Sequence, residues 1–356
     1  RSTPLYSSAA SDVYKRQGEG LDPSVTLEAG RVLGGRYEVR RLIGSGGMGA
    51  VYAAFDKNRQ EEIAVKVLLP RLVAKEDARQ RFLNEAKIGS SLSHPGVVRV
   101  HDIQQDADLW FITMELLKGR SLREEMESRK AAKKPFTIAE VNSIGRELCE
   151  ALGYAHTKTV HRDVKPENVW LAENGHVTVM DFGIARLMST SRMTHTAMSM
   201  GTAYYMAPEQ LQGAKDVDSR ADQYATAVLL YEMLTGRIPT GAFDAPKVRR
   251  KDMPAAMNDA LMKALKAEPG DRFASMAEFG KALSKGGAGV SKGVLKWVAL
   301  AAVLLIVAGS APMWTPTVWP VVKKLIMPVD PDQVARVQKE QTELETLSTA
   351  WEAKKK

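Results

Sequence analysis

Cysteine is almost absent from this sequence: Cys149 is the single thiol in 356 residues. One thiol builds neither an intrachain disulfide nor a multi-cysteine metal centre, which fits a reducing compartment for the main domain. Val141, Ile144, Leu148 and Leu152 surround it at helical spacing, so Cys149 reads as a small core residue rather than a reactive one. Long runs of one charge are also missing. The net charge of +8 comes from 50 basic and 42 acidic residues scattered among one another. That argues against nucleic acid as a partner and leaves a weak preference for anionic surfaces. No internal repeat is visible. The chain start carries no initiator Met and no signal-peptide layout. Residues 7–17 have no apolar periodicity, and 12–17 resemble the translated end of a sequencing adapter. Residues 1–17 are therefore expected to be non-native and disordered.

What is present is enough apolar material, 44% of residues, for a substantial core. After a flank at 18–36, short β-rich runs at 37–43, 50–55 and 63–68 alternate with Gly-rich or charged turns and predict a meander. A helix is expected over 78–92, then strands over 97–102 and 109–114. Beyond Gly119 the pattern turns helical, strongest at 138–157 and 219–235, with 257–283 helical as well. A small β-rich lobe followed by a larger α-rich lobe is the predicted layout, with the domain spanning 37–283. The glycines of 284–293 predict a flexible linker. Residues 297–322 hold no charge, and lysines flank them at 292, 296, 323 and 324. This predicts one transmembrane helix at 294–313, with Trp297, Trp314 and Trp319 as interfacial aromatics. Pro312, Pro316 and Pro320 shorten the run and leave a buried or interfacial helix as the alternative. The tail, 314–356, reads as short and mostly helical, with a weak heptad pattern.

Several motifs carry chemistry. Gly44-Ser45-Gly46-Gly47-Met48-Gly49-Ala50-Val51 has the spacing of a phosphate-cradling loop, in which glycine lets backbone amides reach phosphate oxygens. A dinucleotide-binding unit would need a helix directly after this loop. Here a strand follows, so the loop caps a hairpin. The next strand contains Ala64-Val65-Lys66, and a lysine among Ile63, Val65 and Val67 is costly to bury without a partner. Glu85 on the following helix is its expected counter-charge. His161-Arg162-Asp163-Val164-Lys165-Pro166-Glu167-Asn168 is the most specific feature. One carboxylate there can orient an acceptor hydroxyl while an amide oxygen five residues later reaches magnesium. Asp181-Phe182-Gly183 supplies a second carboxylate for the metal.

These motifs, in this order, resemble the bacterial Hanks-type serine/threonine protein kinases over 37–283. The resemblance extends to the segment 201–209, which ends Ala207-Pro208-Glu209, to Asp222 in a central helix, and to Arg272 as partner of Glu209. It implies a bilobal α+β kinase fold, ATP and Mg2+ as cofactors, and protein substrates with Ser or Thr acceptors. Asp163, Lys165, Lys66 and Glu85 would be catalytic, and Asn168 and Asp181 metal ligands. ATP would meet Ile43, Gly44, Ser45, Gly46, Gly47, Met48, Gly49, Lys66 and the backbone of Glu115 and Leu117. Val51 and Ala64 would cover the adenine, Trp170 would lie beneath it, and Met114 would be the gatekeeper. Trp170 departs from the usual aliphatic residue, and 241–257 departs from the usual docking region. Thr194 and Thr196 stand where relatives are autophosphorylated, with Arg162 placed to pair with the phosphate. The expectation is a single-pass inner-membrane signalling kinase with a cytoplasmic catalytic domain and a possible homodimer. A nucleotide-binding pseudokinase scaffold is the alternative.

Overall fold

The computed structural model describes residues 22–182, 202–214 and 217–287, apart from the side chains of Arg81, Glu85 and Thr202. Two units divide the chain, 1–288 and 289–356, and the second lies wholly outside the described residues, together with the predicted span 294–313. Among the described residues no helix is long and apolar enough to cross a membrane.

The first lobe is a twisted antiparallel sheet. Its strands are β1 (Val32–Leu33), β2 (Tyr37–Gly46), β3 (Gly49–Asp56), β4 (Glu61–Leu68), β5 (Val100–Asp106) and β6 (Leu109–Glu115), in the order β1-β2-β3-β4-β6-β5. β-Branched and aromatic residues favour these strands, and their alternation sends Val39, Tyr52, Val65, Val67 and Phe111 into one apolar cluster. A one-turn helix α1 (Pro70–Val73) and the longer α2 (Glu76–Ser90) follow β4, and Phe82 and Ala86 of α2 bury against Ile112 and Met114.

β7 (Arg120–Ser121) leads into α3 (Leu122–Ala131) and α4 (Ile138–Ala155). Each helix opens on a capping box, Ser121 with Glu124 and Thr137 with Glu140, which satisfies amides that have no partner within the helix. The loop after α4 runs into β8 (Val169–Leu171) and β9 (Val177–Val179), which complete a small sheet of order β7-β8-β9. The remaining helices are α5 (Pro208–Leu211), α6 (Arg220–Thr235), α7 (Pro246–Arg249), α8 (Ala255–Ala264) and α9 (Met276–Gly287). α6 is buried along most of its length and ends at Gly236, whose φ of +68° suits a left-handed cap. Gly145 lets α4 press against it, since a Cβ there would sit 2.9 Å from Leu230.

Two expectations need correction. The stretch 257–283 is two helices, because Pro269 in a 3-10 turn cannot supply a helical N–H. The break also frees the carbonyls of Lys266 and Ala267 for Arg272. The predicted linker begins inside α9, which runs to Gly287; burial of Leu283 carries that helix across residues of poor propensity. The flank before Tyr37 packs onto the first lobe: Val25, Leu27 and Leu33 are buried in the sheet's core. The Tyr52 hydroxyl accepts the Leu27 N–H at 3.0 Å and donates to the Val25 carbonyl at 2.8 Å. Tyr52→Phe strands both groups, and a loss of about 1–3 kcal/mol is expected in chemical denaturation of the full chain. An unchanged midpoint would show that the flank contributes nothing to the lobe.

Candidate active site

The site lies where the sheet meets the helical lobe. The glycine motif is the tip of the β2–β3 hairpin, with Gly46 paired to Gly49 across a two-residue turn of Gly47 and Met48. Two different constraints act on its glycines. Gly49 has φ of +145°, and a Cβ there would lie 1.9 Å from the Val67 carbonyl, so the fold itself demands glycine. Cβ atoms at Gly44, Gly46 and Gly47 would meet no protein atom. Their bareness leaves open space beside backbone amides, which suits phosphate oxygens.

Beneath the hairpin, Lys66 of β4 faces Val51 of β3 in register and is nearly buried. Its ammonium lies 2.7 Å from Asp181 Oδ2. The expected partner Glu85 belongs to α2, but its side chain lies outside the described residues; the ion pair present is Lys66 with Asp181. Burial pushes the Asp181 carboxyl up, but the Lys66 ammonium, with Lys165 adding to it, outweighs that and holds Asp181 below the usual carboxylate range.

The catalytic-loop geometry is set from below by Asp222, on the first turn of α6 and fully buried. Its carboxylate accepts the backbone N–H groups of His161 at 2.8 Å and Arg162 at 2.6 Å, with His156 Nε2 at 2.8 Å. Arg162 has φ of +67° and Asp181 φ of +63°, conformations that non-glycine residues hold only when their surroundings insist. Buried His161 bridges the two: its Nδ1 accepts the Asp163 N–H at 3.2 Å and its Nε2 donates to the Met180 carbonyl at 2.7 Å. The partners select the Nε2–H tautomer. Phe182 packs edge-on against the His161 ring, centroids 4.5 Å apart.

Asp163 therefore arrives with its carboxylate 2.8 Å from Lys165 Nζ and 3.0 Å from Asn168 Nδ2. Asn168 also donates to the Asp163 carbonyl at 2.8 Å, so its amide nitrogen faces Asp163 and its Oδ1 is the atom left to ligate. Asn168 Oδ1 with Asp181 is a sparse, all-oxygen donor set. That fits magnesium, which takes one or two protein oxygens and completes its shell with water and phosphate.

Ile43, Val51, Ala64, Met114 and Leu117 share one apolar cluster, as an adenine pocket requires. The Glu115 N–H donates to the Arg99 carbonyl at 3.0 Å, so a backbone bond from Glu115 to a base would come from its carbonyl. Trp170 of β8 donates its indole N–H to the Lys118 carbonyl at 3.2 Å, which ties the floor residue to the segment joining the lobes. Gly183, Thr194 and Thr196 lie outside the described residues. On the acceptor side, Arg272 and Glu209 form a bidentate pair, both bonds 2.8 Å. The other Arg272 donors go to the carbonyls of Lys266, Ala267 and Arg220, which satisfies a fully buried guanidinium. Sequence reasoning missed Arg123 and Glu232, which no motif marks; with Tyr205 of the 201–209 segment they meet Glu167 beside the catalytic loop.

Burial pushes the Asp222 carboxyl up, but His156 and the His161 backbone N–H overcome this and hold it below the usual range. A depressed folded pKa contributes stability that is complete above the unfolded value of about 3.9 and is lost as pH falls through the folded one. Asp222→Asn is expected to cost about 3 kcal/mol at neutral pH, because it turns an NH2 toward backbone donors. In urea titrations the gap between variant and wild type should narrow below about pH 4. A gap that is flat with pH would overturn this account.

A protein kinase domain model matches residues 37–284. A probable serine/threonine-protein kinase of Streptomyces coelicolor is 40% identical over 71% of this chain, and one of Clostridium perfringens 36% over 70%. The chain spans 40% and 38% of the lengths of these two relatives. Among solved structures, the Mycobacterium tuberculosis PknI kinase domain is 32% identical, with a TM-score of 0.62, covering 74% of this chain and 99% of that one. With a family model over most of its length and relatives of this kind, the chain belongs to the protein kinase family, in its bacterial Hanks-type serine/threonine branch.

Proposed function

We propose that this chain transfers the γ-phosphoryl group of ATP to Ser and Thr hydroxyls of proteins. The observation that carries the reading is the placement of two contacting pairs, Lys66 with Asp181 at 2.7 Å and Asp163 with Asn168 at 3.0 Å, on segments that His161 joins through the Asp163 N–H and the Met180 carbonyl. The backbone of Gly44–Gly49 and the Lys66 ammonium would hold the phosphates. Asp163 orients the acceptor hydroxyl and takes its proton as the new O–P bond forms and the bond to the β-phosphate oxygen breaks, releasing ADP. Lys165, 2.8 Å from Asp163, is placed to balance charge on the transferring group. Asn168 and Asp181 would hold magnesium, which when bound neutralises charge on the phosphate oxygens.

Residues beyond the described fold extend the proposal. The uncharged run 297–322 supports a single-pass anchor at 294–313 in the cell inner membrane, with the catalytic domain on the ATP-bearing cytoplasmic side and the tail beyond it as a dimerising or partner-binding helix. Thr194 and Thr196 are the acceptors for autophosphorylation, with Arg162 as the partner of the phosphate.

Full-length chain incubated with labelled ATP and magnesium is expected to label itself at Thr194 or Thr196. Asp163→Asn should reduce the rate by at least about 100-fold. ATP binding without label on the chain or on a generic protein substrate would favour the scaffold reading instead.

A further inference from the structure

Three exposed lysines crowd one turn of the helical lobe, between α3 and α4. Lys130 lies in the last turn of α3, after which the chain folds back: the Lys133 N–H donates to the Lys130 carbonyl at 3.2 Å and the Lys134 N–H to the Arg129 carbonyl at 2.9 Å. With Lys133 at φ of +54°, this is a left-handed helix end. Two further elements finish beside it. The Arg250 guanidinium, just after α7, donates to the Phe136 carbonyl at 3.0 Å, which brings the exposed Lys251 close to the start of α4. α9 runs antiparallel to α4, since a Cβ on Gly280 would lie 3.1 Å from that of Cys149 and one on Gly145 3.3 Å from Leu283. The last turn of α9, with exposed Lys285, therefore lies beside the first turns of α4, next to the lysine turn.

Charge on this face is not neutralised locally. Among the described residues, no carboxylate pairs with Lys130, Lys133, Lys134, Lys251 or Lys285. The neighbouring acids are engaged elsewhere, Glu125 and Glu140 by Arg129 and Asp252 by Arg250. Glu127 of α3 is exposed and offsets one of the cations. A lone surface lysine is ordinary, but lysines gathered from three elements make a field that no single solvated helix face produces. The described chain also ends on this face, at Gly287. Seven residues separate Gly287 from residue 294, where the anchor is proposed to begin, and a segment of that length extends at most about 25 Å. Lys292 lies within it and adds to the same charge.

We infer that the face built by Lys130, Lys133, Lys134, Lys251 and Lys285 docks on the anionic headgroups of the membrane that carries the chain. The inference rests on the anchor reading above. Each lysine close to an anionic bilayer is worth about fivefold in affinity, and the attraction fades within about 8 Å at physiological salt. Contact by several elements at once is therefore what such a surface rewards. A tether alone leaves the catalytic domain free to tumble; the docked face gives it one orientation on the bilayer.

Lysine footprinting tests this. Full-length chain is reconstituted into nanodiscs of phosphatidylcholine, alone or mixed with phosphatidylglycerol, treated briefly with an amine-acylating reagent and read by mass spectrometry. On the anionic bilayer Lys133 and Lys134 are expected to react at least about fivefold more slowly than on the neutral one. Lys251 and Lys285 should be protected with them, and Lys57 and Lys75 of the first lobe should not change. Raising the salt to about 1 M, where screening shortens to about 3 Å, should abolish the difference. The triple variant Lys130→Gln, Lys133→Gln, Lys134→Gln alters exposed sites only and should return Lys251 and Lys285 to their neutral-bilayer rates. Equal rates on the two bilayers overturn the inference and leave the anchor standing, as does protection that survives high salt or the triple variant. Stronger protection of these lysines by duplex DNA, added to the chain in neutral nanodiscs, assigns the face to nucleic acid and overturns it too. A chain that does not enter neutral nanodiscs fails the anchor reading itself and takes this inference with it.

Discussion

A carboxylate with no access to water governs the centre of this molecule. Asp222 is fully buried, and left alone it would be among the most unfavourable groups in the chain. It is tolerated because backbone donors of the catalytic loop and His156 meet it. The exchange runs in both directions. Asp222 is stabilised by the loop's amides, and the loop is held in a left-handed turn at Arg162 that it would otherwise abandon. The direction of Asp163 follows from that turn, and His161 carries the same constraint to Met180, just before Asp181. One aspartate on a central helix thereby aligns two others on separate segments.

Charges elsewhere in the lobe follow the same rule to different degrees. Arg272 has every donor matched by Glu209 or by carbonyls, and so behaves as a permanent rivet between α5 and the segment joining α8 to α9. Lys66 and Asp181 have chiefly each other and sit beside open space at the glycine hairpin. Fully matched groups serve the fold, whereas groups with capacity to spare face the site. The Arg123 cluster is intermediate, closed at Glu232 and open at Glu167.

Much of this was legible in the sequence wherever chemistry dictates spacing. The run from His161 to Asn168 can be read because a carboxylate and an amide oxygen must converge, and the glycine loop because side chains are forbidden where phosphate approaches. The two-lobe layout followed from the change of period near Gly119. Tertiary partnership was harder to see. Nothing near Lys66 in sequence indicates Asp181, which lies 115 residues away. Arg123 and Glu232 are 109 residues apart on helices whose polar positions look like ordinary solvated faces. The packing of the flank before Tyr37 is not legible because Val25, Leu27 and Leu33 are too few and too widely spaced to show a period, although Tyr52 binds them into the sheet. The helix break at Pro269 does not show in the periodicity, since the flanking pattern is helical on both sides.

Cys149 packs in the helical core, and burial pushes its thiol well above the ordinary range. Such a sulfur is a poor nucleophile at neutral pH and out of reach of bulky reagents. As the only cysteine in the chain, it leaves the native surface without a reactive thiol. Spectroscopists thus receive a ready background: single cysteines introduced on the sheet and on the helical lobe would take up spin or fluorescent labels without prior editing of the protein, and lobe separation could be followed during turnover.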